Sequence, residues 1–383
     1  MAQTFDVAIF GAGIAGASLA WRLAEHCRVV LIERESQPGY HSTGRSAAMF
    51  IESYGPPMVR ALTRASRRFY QQPPPGFTTS PIVSPRGALY LASAGQQAQL
   101  DATRADLAPT CPNLQSLNAA QTLALVPCLR PEKVLASLLD PDAMDLDVHA
   151  LHQGFLRGFR QRGQARGCEL TTSATLTQAR HDGQLWHMQF SDGTALQATT
   201  VVNAAGAWAD EFALLFDAKP IGLVPHRRSA FTFKVPDGLD ASAWPVVSDL
   251  AETWYFKPDA GQFLGSPANA DPTHPHDVVP EELDIAKGIY AIEEATTLQI
   301  RRPTSTWAGL RSFVPDGEIV IGFDDRAPAF FWLAAQGGYG IQSAAGASAF
   351  ADALIRGVAL PDELLLEGVK AESVSPRRLR KVT

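Results

Sequence analysis

The run FDVAIFGAGIAGASLAWRLAEHCRVVLIERE, Phe5 to Glu35, decides the fold. Phe5–Phe10 is an apolar run of strand length, Gly11, Gly13 and Gly16 follow at once, Ile14–His26 has helical character, and Val29–Ile32 is a second apolar strand. Each glycine has a separate physical task. Gly11 allows a tight turn, Gly13 lets backbone approach a pyrophosphate, and Gly16 lets helix and strand pack closely. The start of the helix, including Ile14 and Ala15, offers unpaired N–H groups and a partial positive charge to phosphates. Glu33 follows twenty residues after Gly13, where its carboxylate can accept ribose hydroxyls. An acid there disfavours a 2′-phosphate, so the motif predicts a dinucleotide site for FAD or NAD rather than NADP.

Composition bounds the rest. The chain has 383 residues, 46% of them hydrophobic, enough for a large core and two to three domain lengths. A net charge of −6 gives no basic excess for nucleic acid. The first apolar run is the nucleotide strand, with no basic segment before it, so no signal peptide is expected. No apolar stretch is long enough to span a bilayer. Cys27, Cys111, Cys128 and Cys168 form neither a CxxC pair nor a metal-ligand spacing. The expected location is cytoplasmic and reducing, with peripheral contact at the inner membrane left open.

Further along, Leu146–Gly163 has amphipathic helical spacing with Asp145 or Asp147 near its start. Strand-like pieces follow at Glu169–Leu176 and Leu185–Phe190, with a hairpin turn at Ser191-Asp192-Gly193, and Thr199–Ala205 is an apolar strand ending at Gly206. Between about Gly222 and Ile300 the texture alternates: Ser229–Val235, Thr253–Lys257, Gln262–Gly265 and Leu298–Arg302 are expected strands, and Glu281–Thr296 supplies one or two helices. After Gly309 the first texture returns. Ile319–Phe323 and Phe330–Ala335 are expected strands, and Gly337-Gly338-Tyr339-Gly340 opens a helix through Ile355 that Gly357 closes. The division expected is a nucleotide domain from residues 1–48, 146–222 and 308–383, and a sheet-rich substrate domain from 49–145 and 223–307.

Several runs carry a specific resemblance: HSTGRSAA (His41–Ala48), VVNAAGAW (Val201–Trp208), RRSAFTF (Arg227–Phe233), YFKPDAG (Tyr255–Gly261), GSPANADP (Gly265–Pro272), EEATTLQIRRP (Glu293–Pro303), TWAGLRSFVPDG (Thr306–Gly317), AAQGGYGIQ (Ala334–Gln342) and SPRRL (Ser375–Leu379). Together they resemble the FAD-dependent D-amino-acid dehydrogenase and oxidase family, nearest to its bacterial D-arginine dehydrogenases, over nearly the whole chain. The resemblance implies a D-amino-acid oxidase-like α/β plus β fold, a Rossmann-type FAD domain beside a discontinuous antiparallel-sheet substrate domain, and non-covalent FAD. It also implies hydride transfer from the substrate Cα to flavin N5, giving an imino acid that hydrolyses to a 2-oxo acid and ammonia, with electrons passed to a quinone or another acceptor.

By the same resemblance, Gly11, Gly13, Gly16, Glu33 and Arg34 hold the ADP half. His41, Ser42, Thr43, Arg45, Ser46, Ala47 and Ala48 follow towards the flavin, with Ala205, Gly206, Trp208 and Gly309. Gly337, Gly338, Tyr339, Gly340, Ile341 and Gln342 approach the isoalloxazine and substrate. Arg228, Tyr255 and Arg311 hold the substrate carboxylate, and Tyr54 lies in a loop resembling the active-site lid.

Chemistry supports these assignments to different degrees. A guanidinium offers two parallel donors to a carboxylate, each charge-assisted bond contributing about 1.5–3 kcal/mol. Taken alone, Arg228 and Arg311 read equally as surface arginines, Tyr255 as a core residue and Tyr54 as an exposed loop aromatic. The helix opening at Gly338–Gly340 has a positive end suited to charge developing on a flavin. Gln342 is open between substrate, flavin and solvent. No histidine stands out as a general base, since His26, His226, His274 and His276 all read as surface residues. The substrate pocket departs from the arginine enzymes: Ala88, in Ser84-Pro85-Arg86-Gly87-Ala88, replaces the glutamate that binds the guanidinium, and Met49 and Ile51, beside Phe50, replace a histidine and a threonine. A buried cation without its partner costs about 3–5 kcal/mol. Neutral, hydrophobic D-amino acids are therefore expected to be preferred over D-arginine unless Glu52 turns inward. The competing expectations are an oxygen-using oxidase of D- or N-methyl amino acids releasing hydrogen peroxide, an NAD-dependent dehydrogenase, and a non-catalytic nucleotide-binding regulator.

Overall fold

The computed structural model describes residues 2–380. The apolar run at the N-terminus forms the strand Gln3–Phe10, which lies centrally in a parallel arrangement. It pairs with Val29–Ile32 on one side and with the long strand Ala195–Asn203 on the other. Val29–Ile32 pairs onward with Glu169–Thr171. The long strand serves two neighbours. Its first half pairs antiparallel with Trp186–Phe190 of a meander, and its second half pairs parallel with Phe330–Ala334. Strands buried on both faces need near-continuous apolar sequence, as in VVLI at Val29–Ile32, all four residues of which are buried.

Helices Ile14–Leu23, Val148–Gly163 and Gly340–Arg356 cover one face of this sheet. Asp147 caps the second of them by accepting the Ala150 N–H at 2.8 Å, so that helix begins two residues later than its apolar spacing suggests. Gly357, at φ +64°, closes the third, as expected.

The other sheet runs through Asp271–Pro272, Val224–Lys234, Gln262–Ser266, Tyr255–Asp259, Val246–Asp249, Ala88–Ala92, Ala136–Asp140 and Gln115–Asn118, with Ser305–Phe313 also on Val224–Lys234. A small third sheet joins Met49–Phe50, Met144–Leu146 and Val83–Pro85.

Three sequence expectations shift. Leu298–Arg302 is not a strand: Leu298 and Ile300 are buried, but their N–H groups go to Thr296 Oγ1 and Glu293 Oε1 rather than to a neighbouring strand. Helix Pro57–Gln71 lies in the 49–145 segment expected with the substrate domain, yet Val59, Leu62 and Tyr70 pack into the nucleotide-side core against Gly340–Arg356. Ser305–Phe313 pairs along its whole length in the substrate sheet, so the expected division at residue 308 cuts through a strand. Local periodicity does not reveal the last two changes, because each depends on a partner far away in sequence.

Candidate functional site

The glycine loop is as tight as its sequence implies. Gly11 has φ +100°, and a Cβ there would lie 2.3 Å from the Ala204 carbonyl oxygen. A Cβ on Gly16 would lie 1.9 Å from the Gly11 carbonyl oxygen. Gly16 therefore packs helix on loop, the close packing its place in the motif predicts, and does not itself line the cavity. Gly11, Gly13, Ile14 and Ala15 do line the cavity. Glu33 receives the Ala12 N–H at 2.9 Å and the Glu35 N–H at 3.0 Å, which fix its carboxylate at the strand end on the cavity wall. Thr43 Oγ1 accepts the Ile14 N–H at 3.0 Å and ties the turn Ser42–Arg45 to the helix start. His152, which the sequence reading passed over, is buried with Nε2 2.9 Å from the Ala12 carbonyl and braces the loop from behind. The Arg34 guanidinium lies 4.5 Å from the Trp208 ring centroid and the His41 ring 4.6 Å from it; Ala205 and Gly206 complete this end.

The cavity continues past Ser42, Thr43, Arg45, Ser46 and Ala47 to Gly309, Gly337, Gly338, Gly340 and Ile341. Ser42 donates to the Leu310 carbonyl at 2.7 Å. Arg45 is largely committed to protein: it donates to the Val278 and Ala308 carbonyls at 2.9 and 3.2 Å and pairs with Asp277 at 2.5 Å. The Ala48 N–H donates to Ser46 Oγ at 3.0 Å, and Ala48 adopts φ +59°. The helix Gly340–Arg356 starts without a side-chain cap, so its first N–H groups open towards the cavity. Tyr339 does not line it. Its ring packs 4.9 Å from that of Tyr54, and burial raises its hydroxyl pKa.

Beyond Ala47 a chamber opens, sharing Arg228, Tyr255, Arg311 and Gly338 with the glycine-lined cavity. Strand alternation separates two adjacent arginines here. Arg227 turns away to Asp284 at 3.0 Å and Glu281 at 2.5 Å, while Arg228 faces the chamber, its Nε donating to the Asn269 carbonyl at 2.6 Å. Arg311 donates to the Tyr54 hydroxyl at 3.3 Å and lies against Gly338, where a Cβ would stand 2.8 Å from its Nη1. Burial and the nearby Arg311 charge both lower the Arg228 pKa, so an anion is the ligand these two groups want. The remaining walls are mainly apolar, with Met49, Ile51, Ala88, Leu89 and Val246 among them.

Two acids resolve differently from expectation. Glu52 does not turn inward; it pairs with Arg67 at 2.6 Å. Glu252, unremarkable in sequence, lines the chamber. It sits at φ +56°, a left-handed conformation that costs a residue with a Cβ roughly 1–2 kcal/mol. No side-chain hydrogen bond or periodic pattern marks a lone loop glutamate, which is why it went unread. Gln342 also needs correction. Its amide donates to the Tyr54 carbonyl at 3.2 Å and to Thr63 Oγ1 at 3.1 Å, and its oxygen accepts the Ile51 N–H at 3.4 Å. It positions the Ile51–Tyr54 segment with both of its N–H groups while still lining the chamber, where its oxygen keeps one acceptor position. Ser53 anchors the same segment through Asp140 Oδ2 at 2.6 Å and the Tyr90 hydroxyl at 2.9 Å.

The donor set suits a long dinucleotide carrying a flat ring system. Two helix starts, the first with its Ile14 N–H already on Thr43 Oγ1, can meet a pyrophosphate and an anionic ring, a fixed carboxylate can meet a ribose, and the glycines leave room where side chains would collide. The fold agrees with solved structures. Glycine oxidase from Geobacillus kaustophilus superposes with TM-score 0.81 at 18% identity, over 93% of this chain and 96% of that one. L-proline dehydrogenase from P. horikoshii gives 0.80 at 18%, over 99% and 98%, and iminodiacetate oxidase from Chelativorans sp. BNC1 gives 0.79 at 22%, over 97% and 98%. Among the described residues no helix is long and apolar enough to cross a membrane. The family model described as DAO, FAD dependent oxidoreductase, matches residues 6–353, and the chain belongs to that FAD-binding family.

Proposed function

We propose that this protein is an FAD-dependent D-amino-acid dehydrogenase acting on neutral, hydrophobic substrates. The observation that carries the reading is the placing of Arg228 and Arg311, beside Tyr255, in a chamber whose other walls are mainly apolar and which shares these residues with the glycine-lined cavity. The two guanidiniums and the Tyr255 hydroxyl bind the α-carboxylate. Tyr54, hydrogen-bonded to Arg311 and packed on Tyr339, closes over the head of the substrate and excludes water. FAD, when bound, supplies the two-electron acceptor that converts the Cα–N bond to an imine, which water hydrolyses to a 2-oxo acid and ammonia. Gly11, Gly13, Ile14, Ala15 and Glu33 hold its ADP half with Arg34, His41 and Trp208. Ser42, Thr43, Arg45–Ala48, Gly309, Gly337, Gly338, Gly340 and Ile341 flank its ring. The D configuration rests on the resemblance carried by the quoted motifs. The neutral preference rests on Ala88, Met49 and Ile51 in the wall and on the outward pairing of Glu52.

The test is the visible spectrum of anaerobic holoenzyme before and after separate additions of D-leucine, D-methionine, D-phenylalanine and D-arginine. Rapid bleaching by the three neutral amino acids and slow bleaching by D-arginine is expected. Faster bleaching by D-arginine refutes the pocket assignment, and no bleaching by any of them refutes the substrate class. Hydrogen peroxide formed stoichiometrically under air would make the enzyme an oxidase.

A further inference from the structure

The chamber carries more charge than a carboxylate clamp requires. Three charged side chains line it: Arg228, Arg311 and Glu252. The other nearby acids are engaged elsewhere. Asp140 receives Ser53 and the Asp142 N–H, Glu52 pairs with Arg67, and Asp249 accepts the N–H groups of Ala251, Thr253 and Trp254. Glu252 lines the chamber from a solvent-exposed turn, and its carboxylate has no hydrogen-bond or ion-pair partner among the described residues.

Its placement is built, not incidental. Asp249 braces the turn Leu250–Trp254 through those three bonds, and the Leu250 N–H anchors the turn to the Leu91 carbonyl at 2.8 Å. The braced turn holds Glu252 in a left-handed conformation that glutamate does not favour, and such strain persists only where the surroundings over-determine it. Partial desolvation on the chamber side raises the carboxyl's pKa, while the charges of Arg228 and Arg311 lower it, so the group feels both guanidiniums even though its turn is exposed. A zwitterion satisfies all three charges at once, with its carboxylate on the arginines and its ammonium on the glutamate. A plain carboxylate satisfies the arginines but is repelled by the glutamate.

Accepting the amino-acid reading above, we propose that Glu252 receives the substrate's α-ammonium group and makes the chamber prefer amino acids over 2-oxo acids and other simple carboxylates. The product of oxidation and hydrolysis has lost that ammonium, so the same residue weakens product retention. Specificity here comes from a repulsive element as well as an attractive one.

The test uses two isosteric ligands that cannot be oxidised at Cα: 2-aminoisobutyrate, a zwitterion, and pivalate, an anion. Their Kd values for the FAD-loaded enzyme are measured by perturbation of the flavin spectrum and by calorimetry. In Glu252→Gln, 2-aminoisobutyrate should bind about tenfold or more weaker, the scale of one charge-assisted hydrogen bond, while pivalate binds more tightly. Glu252→Asp keeps the charge one methylene further back and should give an intermediate ratio; it carries the test alone if the glutamine variant loads FAD poorly. A ratio of Kd values unchanged from wild type in these variants overturns the proposal while leaving the amino-acid reading standing. Wild-type enzyme that binds pivalate but not 2-aminoisobutyrate overturns both.

Discussion

Arg311 combines three constraints in one side chain: it lies in the chamber, meets the Tyr54 hydroxyl and presses on Gly338. Arg311→Met should keep its FAD and lose about 10- to 100-fold in kcat/KM, mostly through KM, since one charge-assisted contact to the substrate carboxylate is worth about 1.5–3 kcal/mol. Steady-state kinetics on D-leucine measures it. Ala88→Glu places an acid on the apolar wall and should raise the D-arginine to D-leucine ratio of kcat/KM by about a hundredfold, near the low end of the cost of an unpaired buried charge. An unchanged ratio would mean that the side chain of the substrate does not reach Ala88. His152 gives a pH effect. Burial first, with His149 adding, lowers its pKa against the pull of the Ala12 carbonyl. Its neutral form is therefore favoured by folding, and the stability it contributes is complete above the unfolded value of 6.5 and falls as pH drops below it. Thermal unfolding followed between pH 7.5 and pH 5 should show this loss in wild type and a flatter profile in His152→Gln. Of these residues, the arginines were legible through RRSAFTF and TWAGLRSFVPDG. Glu252 and His152 were not, because one is placed in the chamber only by the fold of its turn, the other acts through a contact made across the fold, and neither leaves a spacing in the chain.

At the level of elements, the helix starts are the least forgiving places. Gly16→Ala would drive a Cβ into the Gly11 carbonyl, a backbone group with no flexible end to move, with the Ile9 side chain close beside it. The expected outcome is colourless protein with FAD binding lost, read from the ratio of visible to ultraviolet absorbance. Gly338→Ala meets the movable end of Arg311 instead, so it should remain yellow and lose affinity for the carboxylate. The contrast separates a cradle made of backbone from one made of side chain. Elements with a strong internal period, such as Val29–Ile32 and the helix ending at Gly357, could be read directly from sequence. Leu298–Arg302 shows the limit: its apolar alternation serves burial against a helix, and Glu293 and Thr296 take the N–H groups that a strand would have paired.

Across the whole molecule, the dinucleotide cavity is walled by residues as distant in sequence as Gly13, Arg45, Gly206, Gly309 and Gly340. Binding FAD joins these segments, and a ligand at a thousand times its Kd stabilises by about 4 kcal/mol. Apoenzyme should therefore unfold several degrees below holoenzyme, with reconstitution restoring the difference in a thermal scan. The bridging contacts of Arg45 with Val278, Ala308 and Asp277 tie the turn Ser42–Arg45 to strand Ser305–Phe313 and to the loop before helix Glu282–Ala295, a long-range link that periodicity along the chain does not reveal. The segment from Ile51 to Tyr54 was expected to behave as a lid, but it is moored at Gln342 by its backbone and at Asp140 through Ser53. Swinging it away as a unit breaks several buried hydrogen bonds at once. The aromatic side chain of Tyr54, held by one long hydrogen bond from Arg311 and edge packing on Tyr339, can rotate without breaking any of those moorings. The doorway is thus a single hinged ring set in a fixed frame. Its traffic follows the fast clock of side-chain rotation rather than the microsecond-to-millisecond clock of loop closure, and turnover should respond to the bulk of the group at position 54 more than to the viscosity of the medium.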